Sequence, residues 1–279
     1  MLDGAWAFLL NNNTLQEHFN MNSIWITGAS SGIGEALARE YSALGWRVIL
    51  SSRRAEELLR VANTCASPEN CTVIPLDLED PKSIDEAADD VIERFGTVDI
   101  LVNNGGISQR SLVHETPIEI DRKIMQIDYL SGVQLTKRIL PAMITAGSGH
   151  IVAISSIVGV FGFPQRSAYS AAKHAIHGFY ESVWAELHTK GIQTTIVCPG
   201  QILTNVSLHA LTKDGSEHGK MDPAQKNGIP ADECAHRIRR AIEHNKREVY
   251  VCRIDVLMCY FHRYARWIYY KLVSKVSQN

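Results

Sequence analysis

The chain has 279 residues, 45% of them hydrophobic and 21% charged, and its 28 basic and 30 acidic side chains leave a formal net charge of −2. That composition belongs to a globular chain, and the near-neutral balance excludes an electrostatic nucleic-acid footprint. No stretch approaches the roughly 18 consecutive apolar residues of a membrane-spanning helix, and Ala5–Leu10 is too short an apolar run for a secretory signal.

In chain order, residues 1–20 read as a loose extension ahead of Met21. The predicted strands are short, apolar and β-branched: Ser23–Thr27, Arg47–Ser51, Cys71–Pro75, Asp99–Val102, His150–Ser155, Gln193–Cys198 and Glu248–Val251. Segments of helical period separate them, among them Glu35–Ala43, Ala55–Asn63, Lys82–Phe95 and a long stretch from about 118 to 146. Asp80-Pro81 supplies an N-cap followed by proline in the first turn. Strands alternating with helices predict one α/β domain over 21–252: a doubly wound parallel sheet of about seven strands, with helices on both faces. Residues 205–230 are polar and glycine-containing, too long for an ordinary connection, and read as a substrate loop. Six cysteines show no CxxC pair and no metal-type spacing with histidine, which suits a reducing, cytoplasmic setting with no metal site. His174 and His177, one helical turn apart, lack an evident third ligand.

Chemistry enters at the first strand–helix turn. Thr27-Gly28-Ala29-Ser30-Ser31-Gly32-Ile33-Gly34 gives a tight turn whose backbone N–H groups approach a pyrophosphate, backed by a helix N-terminus. Further along, Tyr169 and Lys173 stand at i and i+4, on one face of a predicted helix. A free tyrosine titrates near pH ~10, and an adjacent ammonium favours its phenolate. Ser156 ends the fifth predicted strand, and alternation sends its neighbour Ser155 to the opposite face.

The glycine spacing, with Tyr169-x-x-x-Lys173 and Ser156 thirteen residues earlier, resembles the short-chain dehydrogenase/reductase family from about residue 23 to 251. The resemblance implies a Rossmann-type fold and hydride transfer between a nicotinamide and a carbonyl or alcohol carbon. Tyr169 then moves the proton, Ser156 polarises the substrate oxygen, and Lys173 tunes the tyrosine and holds the nicotinamide ribose. At the end of the second strand, neutral Ser52 and cationic Arg53 favour the 2′-phosphate of NADP(H) over NAD. By the same resemblance Asp77 and Leu78 flank the adenine, Asn104 and Gly105 lie against the adenosine ribose, and Pro199, Gly200, Ile202 and Thr204 meet the nicotinamide carboxamide. Two positions depart from the family pattern: Gly105 replaces the usual alanine, and Asp128, in Ile127-Asp128-Tyr129-Leu130-Ser131-Gly132, replaces a usual asparagine of the proton relay.

The resemblance is nearest to the branch of 11β-hydroxysteroid dehydrogenase and its membrane-associated relatives, which implies a ketone, aldehyde or alcohol substrate with an apolar, lipid-, steroid- or retinoid-like body. It also implies a homodimer or homotetramer built on the 118–146 segment and the Tyr169 helix. The tail, 253–279, reads as one basic aromatic helix suited to peripheral contact with a membrane surface. A non-catalytic NADP-binding scaffold is the rival reading, kept open by Asp128.

Overall fold

A computed structural model of the protein describes residues 21–276, so the predicted extension at 1–20 lies outside the described residues. Seven strands form one parallel sheet: β1 (Ser23–Thr27), β2 (Arg47–Ser51), β3 (Cys71–Val73), β4 (Ile100–Asn103), β5 (Gly149–Ile154), β6 (Ile192–Pro199) and β7 (Glu248–Val251). Their spatial order is β3-β2-β1-β4-β5-β6-β7. Each starts and ends within two residues of its predicted run.

The alternation of β1 shows why the sheet is covered on both faces. Ile24 and Ile26 pack among Leu37, Leu50 and Leu58, whereas Trp25 faces Ile84, Val91 and Leu135 on the other side. All these side chains are buried. The Trp25 indole is too polar to bury unpaired, and its Nε1 donates to Ser51 Oγ at 2.8 Å.

The first face carries helices α1 (Gly32–Ser42) and α2 (Ala55–Thr64). Helix α3 (Pro81–Phe95) lies on the other and begins as predicted, with Asp80 Oδ1 accepting from Lys82 N at 3.0 Å. The predicted long helix after β4 is two helices, α4 (Ile118–Met125) and α5 (Ser131–Ala146), joined by a π turn at Gln126–Leu130. One extra residue is accommodated there, and the Ser131 hydroxyl donates back to Ile127 O at 2.6 Å. Helix α6 (Ser167–Leu187) precedes β6, and α7 (Ala231–Glu243) precedes β7. The 205–230 connection is mostly turns, closed by a two-residue parallel pairing of Ile202–Leu203 with Ile229–Pro230.

The tail corrects the reading of a single helix. It forms α8 (Val256–Tyr264) and α9 (Arg266–Val276), interrupted where Ala265 adopts φ −141° and ψ 60°. The break lets both helices reach the protein: Cys259 and Tyr269 pack with Phe161, and the Tyr269 hydroxyl donates to Gly162 O at 2.6 Å.

Strand order reverses direction between β1 and β4. In an open parallel sheet the crevice at the carboxyl ends of such a pair is where ligands bind.

Candidate active site

The turn between β1 and α1 lies at that crevice. Gly28 and Gly32 take φ +65° and +59°, where a side chain is strained. A Cβ on Gly28 would sit 2.7 Å from Gly105 Cα, and one on Gly34 would sit 2.4 Å from Gly28 O. Asn104 fixes this packing, donating from Nδ2 to Thr27 O at 2.9 Å and to Gly28 O at 3.2 Å. Ser31 starts α1 without capping it through its hydroxyl, so the first N–H groups of the helix receive no side-chain acceptor there. Ile33 anchors the same turn against the core. A glycine cradle with uncapped amides fits a pyrophosphate.

Beyond β2, Arg53 and Arg54 are both exposed, and Arg54 donates from Nη2 to Ser30 Oγ at 3.2 Å. Arg54 is thus a second guanidinium at the expected phosphate position, one the sequence reading did not single out. Arg60, held by Glu35, also donates to Ser30 O at 3.1 Å. Asp77 has a turn role, accepting from Glu79 N at 3.0 Å through Oδ1.

Across the crevice, α6 carries Tyr169 and Lys173, the expected acid–base pair. Lys173 is buried, its Nζ 5.5 Å from the centre of the half-buried Tyr169 ring and 3.0 Å from Ile154 O. The π turn brings Asp128 to the same ammonium, at 3.2 Å. Asp128 Oδ1 accepts from Ile107 N at 2.8 Å, whereas no well-aligned hydrogen bond reaches its buried Oδ2. Burial works against the Lys173 ammonium, but Asp128 and then Tyr169 outweigh it and hold its pKa above the ordinary lysine value. Burial pushes the Asp128 carboxyl up, against the pull of Lys173 and the Ile107 amide. The two serines part as expected. Ser156 Oγ donates to Pro199 O at 3.4 Å, while Ser155 Oγ meets Lys173 O at 3.1 Å and His177 Nε2 at 3.0 Å on α6.

The chain matches the family model described as short chain dehydrogenase over residues 22–214. It belongs to the short-chain dehydrogenase family. It is 42% identical to the Drosophila melanogaster "Dehydrogenase/reductase SDR family protein 7-like", over 90% of this chain and 79% of that one. A short-chain dehydrogenase from Streptomyces avermitilis superposes with a TM-score of 0.78 at 31% identity, covering 93% of this chain and 98% of the other. An alcohol dehydrogenase from Thermococcus sibiricus, complexed with 5-hydroxy-NADP, gives a TM-score of 0.71 at 25% identity, covering 84% and 97%.

In this short-chain dehydrogenase the two departures from the usual pattern are each closely packed by their neighbours. A Cβ on Gly105 would fall 2.3 Å from Leu78 Cδ1, so glycine makes room for that leucine. Asp128 lies against Gly106, where a Cβ would be 3.2 Å from its Oδ2. After β6, Gly200 N donates to Val251 O at 3.0 Å, and Ile202 is buried. Thr204 faces the glycine turn: a Cβ on Gly32 would be 3.0 Å from its methyl, and its Oγ1 accepts from buried Gln225 at 3.0 Å.

Sequence reasoning missed Gln109. It is fully buried, and its Oε1 accepts from Ala168 N at 2.9 Å and Tyr169 N at 3.4 Å, satisfying amides of the first turn of α6. Its Nε2 meets the hydroxyls of Ser111, Thr116 and Ser167. His177 was read beside His174; it instead neighbours Cys198 Sγ at 3.7 Å and Glu248 Oε1 at 3.8 Å.

Proposed function

We propose that this short-chain dehydrogenase is an NADP(H)-dependent oxidoreductase of the 11β-hydroxysteroid dehydrogenase-like branch. It acts on a ketone, aldehyde or secondary alcohol with an apolar body. The observation that carries the reading is Lys173 Nζ held 5.5 Å from the Tyr169 ring at the carboxyl end of the sheet. A lysine there keeps positive charge beside a phenol that must give and take a proton.

The bound nicotinamide supplies or accepts the hydride. The chain's own residues do the rest. Tyr169 donates its phenolic proton to the carbonyl oxygen in reduction and withdraws the hydroxyl proton in oxidation. Ser156 hydrogen-bonds that oxygen, and Lys173 orients the ribose. Gly28, Ser30, Ser31, Gly32, Ile33 and Gly34 hold the pyrophosphate, Arg53 and Arg54 the 2′-phosphate, and Asp77, Leu78, Asn104 and Gly105 the adenosine. Pro199, Gly200, Ile202 and Thr204 hold the carboxamide. Neutral Ser52 and the two arginines support NADP(H), as does the 5-hydroxy-NADP carried by the Thermococcus sibiricus relative.

A panel of apolar carbonyls and alcohols, run with NADP(H) and NAD(H), tests the reading. NADPH oxidation is the expected result. Tyr169→Phe removes the proton donor and little volume, so turnover falls by about 10²–10⁴ while NADPH still binds. Tight NADPH binding with no turnover of any carbonyl would move the protein to the scaffold reading.

The same reading includes a cytoplasmic homodimer or homotetramer that touches a membrane through α8 and α9. Tyr264, Trp267 and Tyr270 are exposed there among Arg263, Arg266 and Lys271. Co-sedimentation with anionic vesicles and a light-scattering mass check these points; a monomer left in the supernatant rejects both.

A further inference from the structure

Three segments converge on one carboxylate. Asp222, in the 205–230 connection, accepts from Arg110 Nη2 and, at 3.1 Å, from Arg166 Nη2, both through Oδ2. Arg110 follows β4 and is braced from behind, donating from Nη1 to Ser108 Oγ at 3.0 Å and to Gln109 O at 2.6 Å. Arg166 immediately precedes α6, three residues before Tyr169. The three side chains are 9%, 18% and 24% exposed, in the order Arg110, Arg166, Asp222.

The charges do not balance. Among the described residues Asp222 is the only carboxylate paired with either arginine, so two guanidinium groups share one negative charge. A latch for the 205–230 connection needs one arginine. The second leaves an excess positive charge largely out of water, which is costly unless something compensates it. Arg166 has donors to spare, since Nη2 to Asp222 is its one side-chain hydrogen bond among the described residues. Its guanidinium also lies 5.3 Å from the Phe163 ring, a contact that orients the group and leaves its edge for an acceptor. Gln109, whose carbonyl accepts from Arg110, also accepts from Tyr169 N through its side chain, so the cluster adjoins the Tyr169 turn.

We propose that Arg166, which shares Asp222 with Arg110, forms an oxyanion-binding subsite, so that the substrate reduced at Tyr169 carries a carboxylate or phosphate group as well as its apolar body. Asp222 occupies part of that subsite from within. A substrate oxyanion joins or replaces it, with the bidentate geometry a guanidinium offers. This inference rests on the reductase reading above and narrows its substrate class.

The test compares matched pairs: a medium-chain oxo-carboxylic acid against its methyl ester, and an oxo-alkyl phosphate against the corresponding oxo-alkanol. The acid arm and the phosphate arm tell the two oxyanions apart. The full chain with NADPH is expected to prefer the charged member of at least one pair by about tenfold or more in kcat/KM, through KM. In Arg166→Gln that ratio falls toward one, and Arg166→Lys restores part of it. Inorganic phosphate competes with the charged substrate in the wild type and loses that effect in Arg166→Gln. Equal use of both members of both pairs by the wild type overturns the subsite, as does a ratio that survives Arg166→Gln. Turnover of neutral ketones with rejection of both charged members also overturns it. Absence of turnover with every carbonyl overturns the reductase reading instead.

Discussion

Lys173 Nζ and Asp128 Oδ2 stand 3.2 Å apart with side chains 5% and 0% exposed, a buried ion pair directly beneath the Tyr169 ring. The ammonium therefore answers to two partners of opposite purpose. Asp128 keeps it charged, yet the carboxylate also opposes a phenolate at Tyr169 by like-charge repulsion.

Asp128→Asn separates the two effects. The asparagine oxygen still accepts from Ile107 N, and Ile154 O still holds Lys173, so the fold survives with a loss on the order of 2 kcal/mol. Lys173 has a raised pKa, so its pairing stabilises the protein below the ordinary lysine value and is lost as pH climbs through the raised one. In the variant the pairing is gone, and that loss at high pH goes with it. With the anion gone, coupling of Asp128 to the proton transfer shows as a displaced pH profile of kcat/KM for alcohol oxidation. Superimposable profiles would show that Asp128 is not coupled to the proton transfer.

On the proposed NADP(H) reading, cofactor choice divides between two adjacent arginines. Arg53 is exposed and makes no hydrogen bond among the described residues, whereas Arg54 is already engaged with Ser30. Arg53→Ala is expected to weaken NADPH by about tenfold to a hundredfold, equivalent to roughly 1.4–2.7 kcal/mol, and NADH by far less. Arg54→Ala is expected to weaken both, because it also loosens the turn at Ser30. Titration of each variant with both nucleotides decides it, and equal losses of NADPH and NADH in Arg53→Ala refute the assignment.

Gly105→Ala restores the residue more usual in the family and should nevertheless harm this protein. The added methyl meets Leu78 Cδ1 at 2.3 Å; that is the free end of a half-buried leucine, so a shift of its rotamer relieves the overlap at a cost of about 0.5–1.5 kcal/mol in urea unfolding. Trimming the neighbour in Gly105→Ala/Leu78→Val should recover most of the loss. A double variant no better than the single one would place the strain elsewhere, at the Gly28 turn.

His150 links stability to mild acid. Burial lowers its pKa to about 4, and its Nε2 lies 2.8 Å from Thr195 Oγ1. A folded value below the unfolded one means the stabilisation is complete above about pH 6.5 and drains away as pH falls to about 4. The drop amounts to about 3 kcal/mol. His150→Gln, which keeps a hydrogen-bonding partner for Thr195, should flatten unfolding free energy across that window; an unchanged slope would exclude His150 as its source.

Much of this was legible in the residues themselves. Strands buried on both faces, such as Ile24-Trp25-Ile26, must be apolar at successive positions, so their burial is written into composition. The glycine turn and the Tyr169–Lys173 spacing are short-range geometry and read directly. The π turn at Gln126–Leu130 was not legible, because one inserted residue barely disturbs the spacing of Ile124 and Ile127, both buried. Nor were contacts between distant segments: Arg110 and Asp222 are 112 residues apart, and Gln109 reaches Ala168 across 59. The tail showed its apolar period but not its break at Ala265, where the chain bends to bring Tyr269 onto Gly162.

Gln225 and Asp222 belong to the same short stretch, and they tie it to Thr204 and to Arg166 respectively. On the proposed roles, one stretch of backbone is answerable to the nicotinamide at one end and to the substrate at the other. Such a stretch makes the turnover cycle sequential: the dinucleotide must settle Thr204 before the second ligand finds its seat, and must leave last. The kinetic signature is a compulsory order, with product nucleotide competing against the incoming nucleotide alone.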